Sequence, residues 1–365
     1  MKLSCVRENL AKALSALGRV VTTSSTLPIL GNVLLQTDQG RLKISATDLE
    51  MGVNYWVGAK IETQGKITIP ARVFTDYVNN NTDENIELEV ENQLIKLNSE
   101  HYSTKINGLS AEEFPIIPAI KNGVEVKLNV EMLKDAVSKV VFAAAIGETN
   151  PTLAGVLFKV EGNKLKVVAT DGYRLAEKIV DLETPASDGF AVIVPTKTIQ
   201  ELYRLLGNVG GEVRLLVADN QILFGLEGME IVSRLIEGNY PAYEGLMPQS
   251  YVTRVMVGTK ELLSGAKMAA VFSRESQKIR LVVDKDKNRL VSMSKGQLGE
   301  NVSNIGVEVE GVGGEITFNT RYLSDVLNVV GAMNVVLEMT DKLKPGLIKP
   351  VNDDNYRYII MPVKD

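Results

Sequence analysis

The sequence is poor in the residue types that build most reactive sites, because its 365 residues include one cysteine, Cys5, and one histidine, His101. A single cysteine cannot form a disulfide within the chain, which fits a reducing compartment. One Cys and one His also cannot complete a Cys/His zinc site. A catalytic triad would need His101, but its surroundings alternate like a surface strand and carry no nucleophile elbow. We therefore expect no catalytic residue, no metal and no cofactor.

Other absences narrow the class of protein. No run of 18 apolar residues is present, so no membrane span and no membrane partner are expected. Charged residues follow Met1 at once, without the apolar stretch of a signal peptide, which predicts a cytoplasmic protein. Neither a Gly-x-Gly-x-x-Gly nor a P-loop pattern occurs, so no nucleotide site is indicated. Aromatic residues make up only 5% of the chain, which predicts aliphatic cores.

The sequence does contain an internal repeat, with a period close to one third of its length. Four markers recur at spacings of 123 to 126 residues. They are Gly31-Asn32-Val33-Leu34 with Gly155-Val156-Leu157-Phe158; Ala46-Thr47-Asp48 with Ala169-Thr170-Asp171; Ile69-Pro70 with Val194-Pro195 and Phe318-Asn319; and Glu113-Phe114-Pro115 with Asn239-Tyr240-Pro241. A repeat of this length points to three copies of one folding unit.

Each copy follows the same order of elements. An apolar helical spacing such as Leu10, Leu14 and Leu17 opens it, and a hairpin with polar turn residues follows. A second, shorter helix is predicted at residues 72–80, 197–206 and 320–330. The sequence thus predicts an α+β fold of three repeated domains, at 1–120, 121–249 and 250–365, each with two helices and about eight strands.

The net charge of −5 alone argues against a nucleic-acid partner. The six predicted helices, however, carry twelve basic and seven acidic residues, which leaves the rest of the chain at −10. Basic residues recur seven apart, almost two helical turns, as Lys12 with Arg19, Lys197 with Arg204, and Lys260 with Lys267. A solvated helix face explains any one pair; three pairs favour a basic surface that touches phosphates without recognising bases. The candidates are Lys12, Arg19, Arg72, Lys134, Lys139, Lys197, Arg204, Lys260, Lys267 and Arg321.

Several motifs together resemble the β sliding clamp of bacterial DNA polymerase III over essentially the whole chain. They are Thr26-Leu27-Pro28-Ile29-Leu30-Gly31-Asn32, Ala46-Thr47-Asp48-Leu49-Glu50, Val168-Ala169-Thr170-Asp171-Gly172-Tyr173-Arg174-Leu175-Ala176, Ile193-Val194-Pro195 and Tyr358-Ile359-Ile360-Met361-Pro362. The resemblance implies a homodimer that closes head to tail into a ring of six domains around duplex DNA, with the helices inward. It also implies a non-catalytic processivity factor that tethers the polymerase III catalytic subunit, the clamp loader and other proteins with clamp-binding motifs.

The same resemblance implies a peptide-binding pocket between the second and third domains. Its residues would be Leu153, Thr170, Gly172, Tyr173, Arg174, Leu175, Pro241, Leu246, Asn319, Tyr322, Leu343, Pro345, Ile359, Met361 and Pro362. Arg174 and Asn319 would offer directed hydrogen bonds to the peptide. Tyr173, Gly245 and the pair Ser24-Ser25 depart from the family pattern. The protomer interface would include Thr104, Val271 and Phe272.

Two other functions remain open on the sequence. Asp48 and Asp171 could serve a carboxylate- or metal-dependent hydrolase. Their equivalent places in two repeats favour a structural role instead. The chain could also be a repeat scaffold that binds peptides but never encircles DNA.

The solution mass distinguishes among these assemblies. A six-domain ring requires a dimer of about twice the 39.9 kDa chain mass, because each chain supplies three domains. We expect sedimentation equilibrium to report that dimer. A trimer would imply nine domains and a different architecture.

Overall fold

The structure, a computed structural model, describes residues 1–21, 27–147, 150–207 and 209–364. Within these residues there are six α-helices and 24 β-strands, divided so that each repeat holds two helices and eight strands. The predicted α+β fold is therefore confirmed. None of the described helices is long and apolar enough to span a bilayer.

The first repeat comprises β1 (Lys2–Val6), α1 (Arg7–Leu17), β2 (Asn32–Asp38), β3 (Arg41–Thr47), β4 (Met51–Thr63), β5 (Lys66–Pro70), α2 (Ala71–Asn80), β6 (Asn85–Glu91), β7 (Leu94–Asn98) and β8 (Ser103–Asn107). Leu10, Leu14 and Leu17 are buried along one face of α1, as their spacing predicts. The helix ends at Leu17, with Gly18 as its C-cap. Arg19 therefore lies beyond the helix, and the predicted Lys12–Arg19 stripe is wrong.

The second repeat comprises β9 (Val124–Asn129), α3 (Val130–Val140), β10 (Gly155–Glu161), β11 (Lys164–Thr170), β12 (Arg174–Asp181), β13 (Phe190–Pro195), α4 (Thr196–Leu206), β14 (Glu212–Ala218), β15 (Gln221–Leu226) and β16 (Met229–Arg234). The third comprises β17 (Thr253–Gly258), α5 (Thr259–Phe272), β18 (Lys278–Asp284), β19 (Arg289–Gly296), β20 (Gly299–Gly311), β21 (Gly314–Asn319), α6 (Thr320–Val329), β22 (Asn334–Met339), β23 (Gly346–Pro350) and β24 (Tyr356–Ile360). The three shorter helices match their predicted bounds to within one residue.

Contacts group the chain into two compact units that cut across the repeats. The first unit holds Met1–Val130 with Gln200–Leu235, and the second holds Glu131–Ile199 with the chain from Ile236 onward. Each unit is built on one 12-stranded sheet, entirely antiparallel in its pairings. Each sheet continues from one repeat into the next, through β4 with β16 in the first unit and β12 with β24 in the second.

The sheet of the first unit runs β8-β7-β6-β1-β4-β16-β15-β14-β9, with β3 also paired to β4, and β2 bridging β3 and β5. The sheet of the second unit runs β13-β10-β11-β12-β24-β23-β22-β17-β20-β19-β18-β21. The strands of both units bury mainly Val, Leu and Ile, as the low aromatic content predicts. Every sheet therefore has an aliphatic face on which helices can pack.

The recurring Ala-Thr-Asp marker builds a turn between β3 and β4. Thr47 Oγ1 donates to the carbonyl of Met51 at 2.8 Å and accepts from the Leu49 N–H at 3.0 Å. Asp48 Oδ1 accepts from the N–H groups of Glu50 and Met51 at 3.1 and 2.8 Å. The two side chains thus satisfy the backbone groups of the turn, which is the usual role of Asp and Thr there.

The second copy of the marker repeats these bonds between β11 and β12. Thr170 Oγ1 donates to the carbonyl of Arg174 at 2.5 Å and accepts from the Gly172 N–H at 3.1 Å. Asp171 Oδ1 accepts from the N–H groups of Tyr173 and Arg174 at 2.9 and 3.0 Å. A shared hydrogen-bond pattern accounts for the repeated Asp without any catalytic role.

Replacing Asp48 tests that structural role. Asp48→Ala removes the acceptor of two backbone N–H groups and should lower the free energy of unfolding by about 2 kcal/mol, at roughly 1 kcal/mol per bond. Asp48→Asn keeps the Oδ1 acceptor and should lose much less. Urea titration followed by circular dichroism measures both, and equal losses for the two variants would contradict the role assigned to Oδ1.

Candidate functional site

The residues predicted to bind a peptide gather in the second unit, where the turn before β12 meets the end of β24. Leu175 lies opposite Ile359 in the β12–β24 ladder. The Met361 N–H donates to the Tyr173 carbonyl at 2.8 Å, which extends the pairing past the end of the strand. We call the surface along this line the second-junction groove. It contains the predicted residues Thr170, Gly172, Tyr173, Arg174, Leu175, Ile359, Met361 and Pro362.

The groove has an apolar floor. Leu175 and Ile359 belong to one buried cluster with Leu157, Val168, Ile193, Tyr243, Met247 and Leu347, flanked by Ile236 and Tyr240. Tyr243, Met247 and Leu347 were not predicted from the sequence as pocket residues. The Tyr243 hydroxyl donates to Glu177 Oε2 at 2.7 Å, and burial raises the pKa of this hydroxyl above its ordinary range. The only sequence signal for it is its place two residues after the Pro241 marker.

Several predicted pocket residues expose apolar side chains. Tyr173 is 66% exposed and Met361 is 38% exposed, and their backbones are hydrogen-bonded to one another. Leu246 and Leu343 are exposed as well, each close in sequence to a member of the buried cluster. Exposed apolar side chains beside an apolar floor are what a peptide-binding surface requires. The described contacts do not link Leu153, Pro241 or Pro345 directly to Tyr173 or Met361.

Arg174 lies beneath this surface and is only 5% exposed. Its Nε donates to Asp171 Oδ2 at 3.0 Å, one terminal nitrogen donates to Asp325 Oδ2 at 2.5 Å, and the other donates to the Phe142 carbonyl at 2.6 Å. The guanidinium also lies 4.4 Å from the centre of the Tyr322 ring. Internal partners therefore take up three of the five N–H groups of Arg174, and its hydrogen bonds to a peptide stay a prediction.

Asn319 also has a structural partner. Its side-chain oxygen accepts from the N–H groups of Arg321 and Tyr322 at the start of α6, which makes it the N-cap of that helix. Its amide nitrogen donates to Gln277 Oε1 at 3.2 Å. The side chain is half-buried, so capping rather than peptide contact explains the residue at this position.

The side chains of the predicted basic surface differ in exposure and in their partners. Arg204 donates to Glu201 and to the carbonyls of Ser15 and Ala16 at the end of α1. Lys139 is only 12% exposed, because it pairs with Asp135 and lies over the Tyr356 ring. Ion pairs on the same helix also hold Lys12 with Glu8, Lys134 with Glu131 and Arg321 with Asp325. Arg72, Lys197, Lys260 and Lys267 are exposed on their helices.

The helices carry less positive charge than the sequence predicts. Their observed bounds include ten basic and seven acidic residues, because Arg19 and Arg274 fall outside α1 and α5. Lys260 and Lys267 both lie on the exposed face of α5, seven residues apart. Among the three predicted stripes, the Lys260–Lys267 stripe is the one in which both side chains are exposed and the structure describes no ion pair for either. Ser24 and Ser25 lie outside the described residues.

The residues predicted at a protomer interface lie at exposed edges. Thr104 is half-buried on β8, the last strand at one edge of the first unit's sheet. Val271 is exposed near the end of α5, and the half-buried Phe272 follows it. An edge strand presents unpaired backbone groups that a second chain can use.

His101 lies in the turn between β7 and β8 and not in a strand as expected. Its Nδ1 lies 2.7 Å from Asp83 Oδ1, and its backbone N–H donates to Asp83 Oδ2 at 2.8 Å. These bonds lower the pKa of Asp83 to about 2, and the same carboxylate raises the pKa of His101. Glu100 lies close enough to complete three possible metal ligands. Asp83 already uses both oxygens to hold the turn, so this group gives no reason to assign a metal site.

Comparisons with known proteins agree with the three repeats. Three family models match in order: the N-terminal domain of the DNA polymerase III beta subunit at residues 1–118, the central domain at 127–242 and the C-terminal domain at 244–364. A beta sliding clamp of Synechocystis sp. is 30% identical, in an alignment that covers all of this chain and 99% of the relative.

Solved structures give the same result. The crystal structure of the DNA polymerase III subunit beta from Pseudomonas aeruginosa is 30% identical, with a TM-score of 0.94 over 100% of both chains. The DNA polymerase sliding clamp from Bacillus subtilis is 28% identical, with a TM-score of 0.95 over 100% of this chain and 99% of that one. The chain therefore belongs to the family of DNA polymerase III beta subunits, the sliding clamps.

Proposed function

We propose that this sliding clamp closes head to tail with a second copy of itself into a ring of six domains around duplex DNA. The observation that carries the proposal is that three successive beta-subunit domains fill the chain, one to each repeat. A closed ring leaves DNA only by opening or by running off an end. Contacts with the duplex can therefore be weak and mobile, and the ring still keeps a bound polymerase near the primer end.

The exposed basic side chains on the helices supply contacts of the required kind. Lys197, Lys260 and Lys267 are point charges on long flexible stems, which suit phosphate contact without base recognition. Such contacts are weak at physiological salt, with dissociation constants of roughly 10⁻⁴–10⁻⁶ M, so closure of the ring would do most of the retention.

The second-junction groove is the proposed site for partner peptides, from the polymerase III catalytic subunit, the clamp loader and other proteins with clamp-binding motifs. Tyr173 and Met361 line it with exposed apolar surface above a buried aliphatic floor. Because Arg174 and Asn319 are held internally, peptide recognition would depend on apolar contact and backbone groups more than on those two side chains.

The protomer contact is proposed between the β8 edge of one copy, at Thr104, and Val271 with Phe272 of the other. An edge strand and an exposed apolar helix end on different repeats allow a head-to-tail contact that closes after two copies.

The domain boundaries at residues 120/121 and 249/250 and the cytoplasmic location stay predictions. The chain is a non-catalytic subunit, since its family is that of a clamp, and the turn role of Asp48 and Asp171 removes the reason for a hydrolase.

Topology provides the direct test of encirclement. After assembly on a nicked circular plasmid by a clamp loader, the protein should co-elute with DNA in gel filtration. Cutting the plasmid once should release nearly all of it, because the ring can then slide off an end. Equal retention on circular and linear DNA would indicate ordinary binding and favour the scaffold alternative.

A charge reversal tests the α5 face. Lys260→Glu with Lys267→Glu should weaken affinity for a short duplex and lower the slope of log affinity against log salt by about 1 for each lost phosphate contact. Fluorescence anisotropy over a salt series measures that slope. The matched control is Lys285→Glu with Lys287→Glu, in the hairpin between β18 and β19, which makes the same charge change away from the helices. An equal effect of both double variants would mean that α5 does not face DNA.

A further inference from the structure

The first unit contains a cleft of about 100 Å³ at the place where the first repeat joins the second. The turn before β4 forms one wall, with Leu49 and Glu50. The segment that follows the first repeat forms another, with Ile116 and Ile117, and Arg234 at the end of β16 lies beside them. We call this the first-junction cleft. Since a water molecule occupies roughly 30 Å³, the cleft has room for one aliphatic side chain.

The cleft repeats the backbone frame of the second-junction groove. The Arg234 N–H donates to the Glu50 carbonyl at 3.0 Å, just as the Met361 N–H donates to the Tyr173 carbonyl at 2.8 Å. In both units the turn is the one built by the Ala-Thr-Asp marker, which we call the Thr-Asp turn. The strand paired beside it is the last strand of the following repeat. The two places are therefore equivalent positions of one repeated architecture.

The floor of the cleft is built differently from that of the groove. Gly52 stands where the second unit has Leu175, and a Cβ on Gly52 would lie 2.7 Å from Ile117 Cγ2. Ile117 thus supplies apolar surface that Leu175 supplies in the other unit. It packs, with Ile120, on a buried cluster of Leu216, Leu223 and Val232. Both the first-junction cleft and the second-junction groove therefore have an apolar floor, although different residues form it.

Two exposed apolar side chains flank the cleft. Ile116 is 92% exposed and Leu49 is 44% exposed. Leu49 has a φ of 77°, a left-handed backbone that favours glycine, and the equivalent Gly172 has a φ of 89°. A leucine in that conformation is strained, and with 44% of its surface exposed the unit buries it only in part, so burial within the unit gives little reason for leucine instead of glycine. Contact with a partner would explain it.

Arg234 marks the main chemical difference between the two sites. It is exposed, takes the place of the apolar Met361, and has no ion pair among the described residues. An arginine with free donors favours a carboxylate. We propose that the first-junction cleft is a second docking site, which takes from a partner protein an extended segment with an aliphatic side chain next to Asp or Glu. This inference rests on the proposed peptide role of the second-junction groove, which is its template.

Methyl NMR of the full-length protein, labelled at Ile and Leu methyl groups, tests the site directly. The probe is the peptide acetyl-Gly-Ser-Leu-Asp-Ser-Gly-amide. It should shift the methyl signals of Ile116 and Ile117 with a dissociation constant on the order of 1 mM, as expected for one buried side chain and one ion pair. Peptides with Ser in place of Leu, or Lys in place of Asp, should bind at least about 5-fold more weakly.

Three variants complete the test. Leu49→Gly introduces the residue of the second repeat, so it should weaken binding about 5-fold without lowering the melting temperature. Arg234→Glu should reverse the preference from the Asp peptide to the Lys peptide. Ile146→Ala is the control, because it truncates an isoleucine that is also almost fully exposed but lies in the second unit, and it should change nothing.

Three results would overturn the proposal. The first is that the methyl signals of Ile116 and Ile117 do not shift at about 10 mM peptide, which is far above the expected dissociation constant. The second is that the Leu49→Gly variant binds the peptide as tightly as the unchanged protein. The third is that Leu49→Gly changes the oligomer mass, which would make the cleft a contact between copies. Met361→Ala, tested with a clamp-binding-motif peptide, keeps the two proposals separate. If it weakens that peptide while the first-junction probe fails to bind, the second-junction groove stands and the first-junction site does not.

Discussion

Antiparallel pairing between successive repeats is the interaction on which the rest of the structure depends. The β4–β16 and β12–β24 ladders carry each sheet from one repeat into the next, and the repeats share hydrogen bonds as well as side-chain contacts. Register is fixed in such a ladder, because a slip of one residue would turn the buried face outward. The ladder therefore sets which turn lies beside which strand end, and both proposed peptide sites lie at that position.

The backbone hydrogen bonds at the two junctions are the same, but the side chains around them differ. The Thr-Asp turn makes the same four hydrogen bonds in both units. On that frame the first unit places Gly52 and Arg234 where the second places Leu175 and Met361. An internal repeat can thus keep a binding geometry while each copy acquires its own specificity, because recognition depends on exposed side chains and folding depends on the backbone bonds.

The proposed DNA contact through the helices is compatible with a net charge of −5. Several of their basic residues are held by acidic neighbours or carbonyl groups, as Arg204 and Lys139 are, and only some remain exposed. A surface of that kind binds phosphate weakly. Weak contact is compatible with a protein that must move along the duplex, provided that ring closure prevents its escape.

The sequence by itself determined the three repeats, the α+β class and the six helices to within a few residues, because apolar spacing and turn residues act locally. It also identified the recurring Ala-Thr-Asp marker and favoured a structural role for its Asp. Only the tertiary structure decided which polar residues are free: Arg174 is buried against Asp325, 151 residues away, Arg204 caps the end of α1, and Ile117 fills the space beside Gly52. These partners are distant in sequence and meet only through strand pairing, so no local pattern of residues could have indicated them.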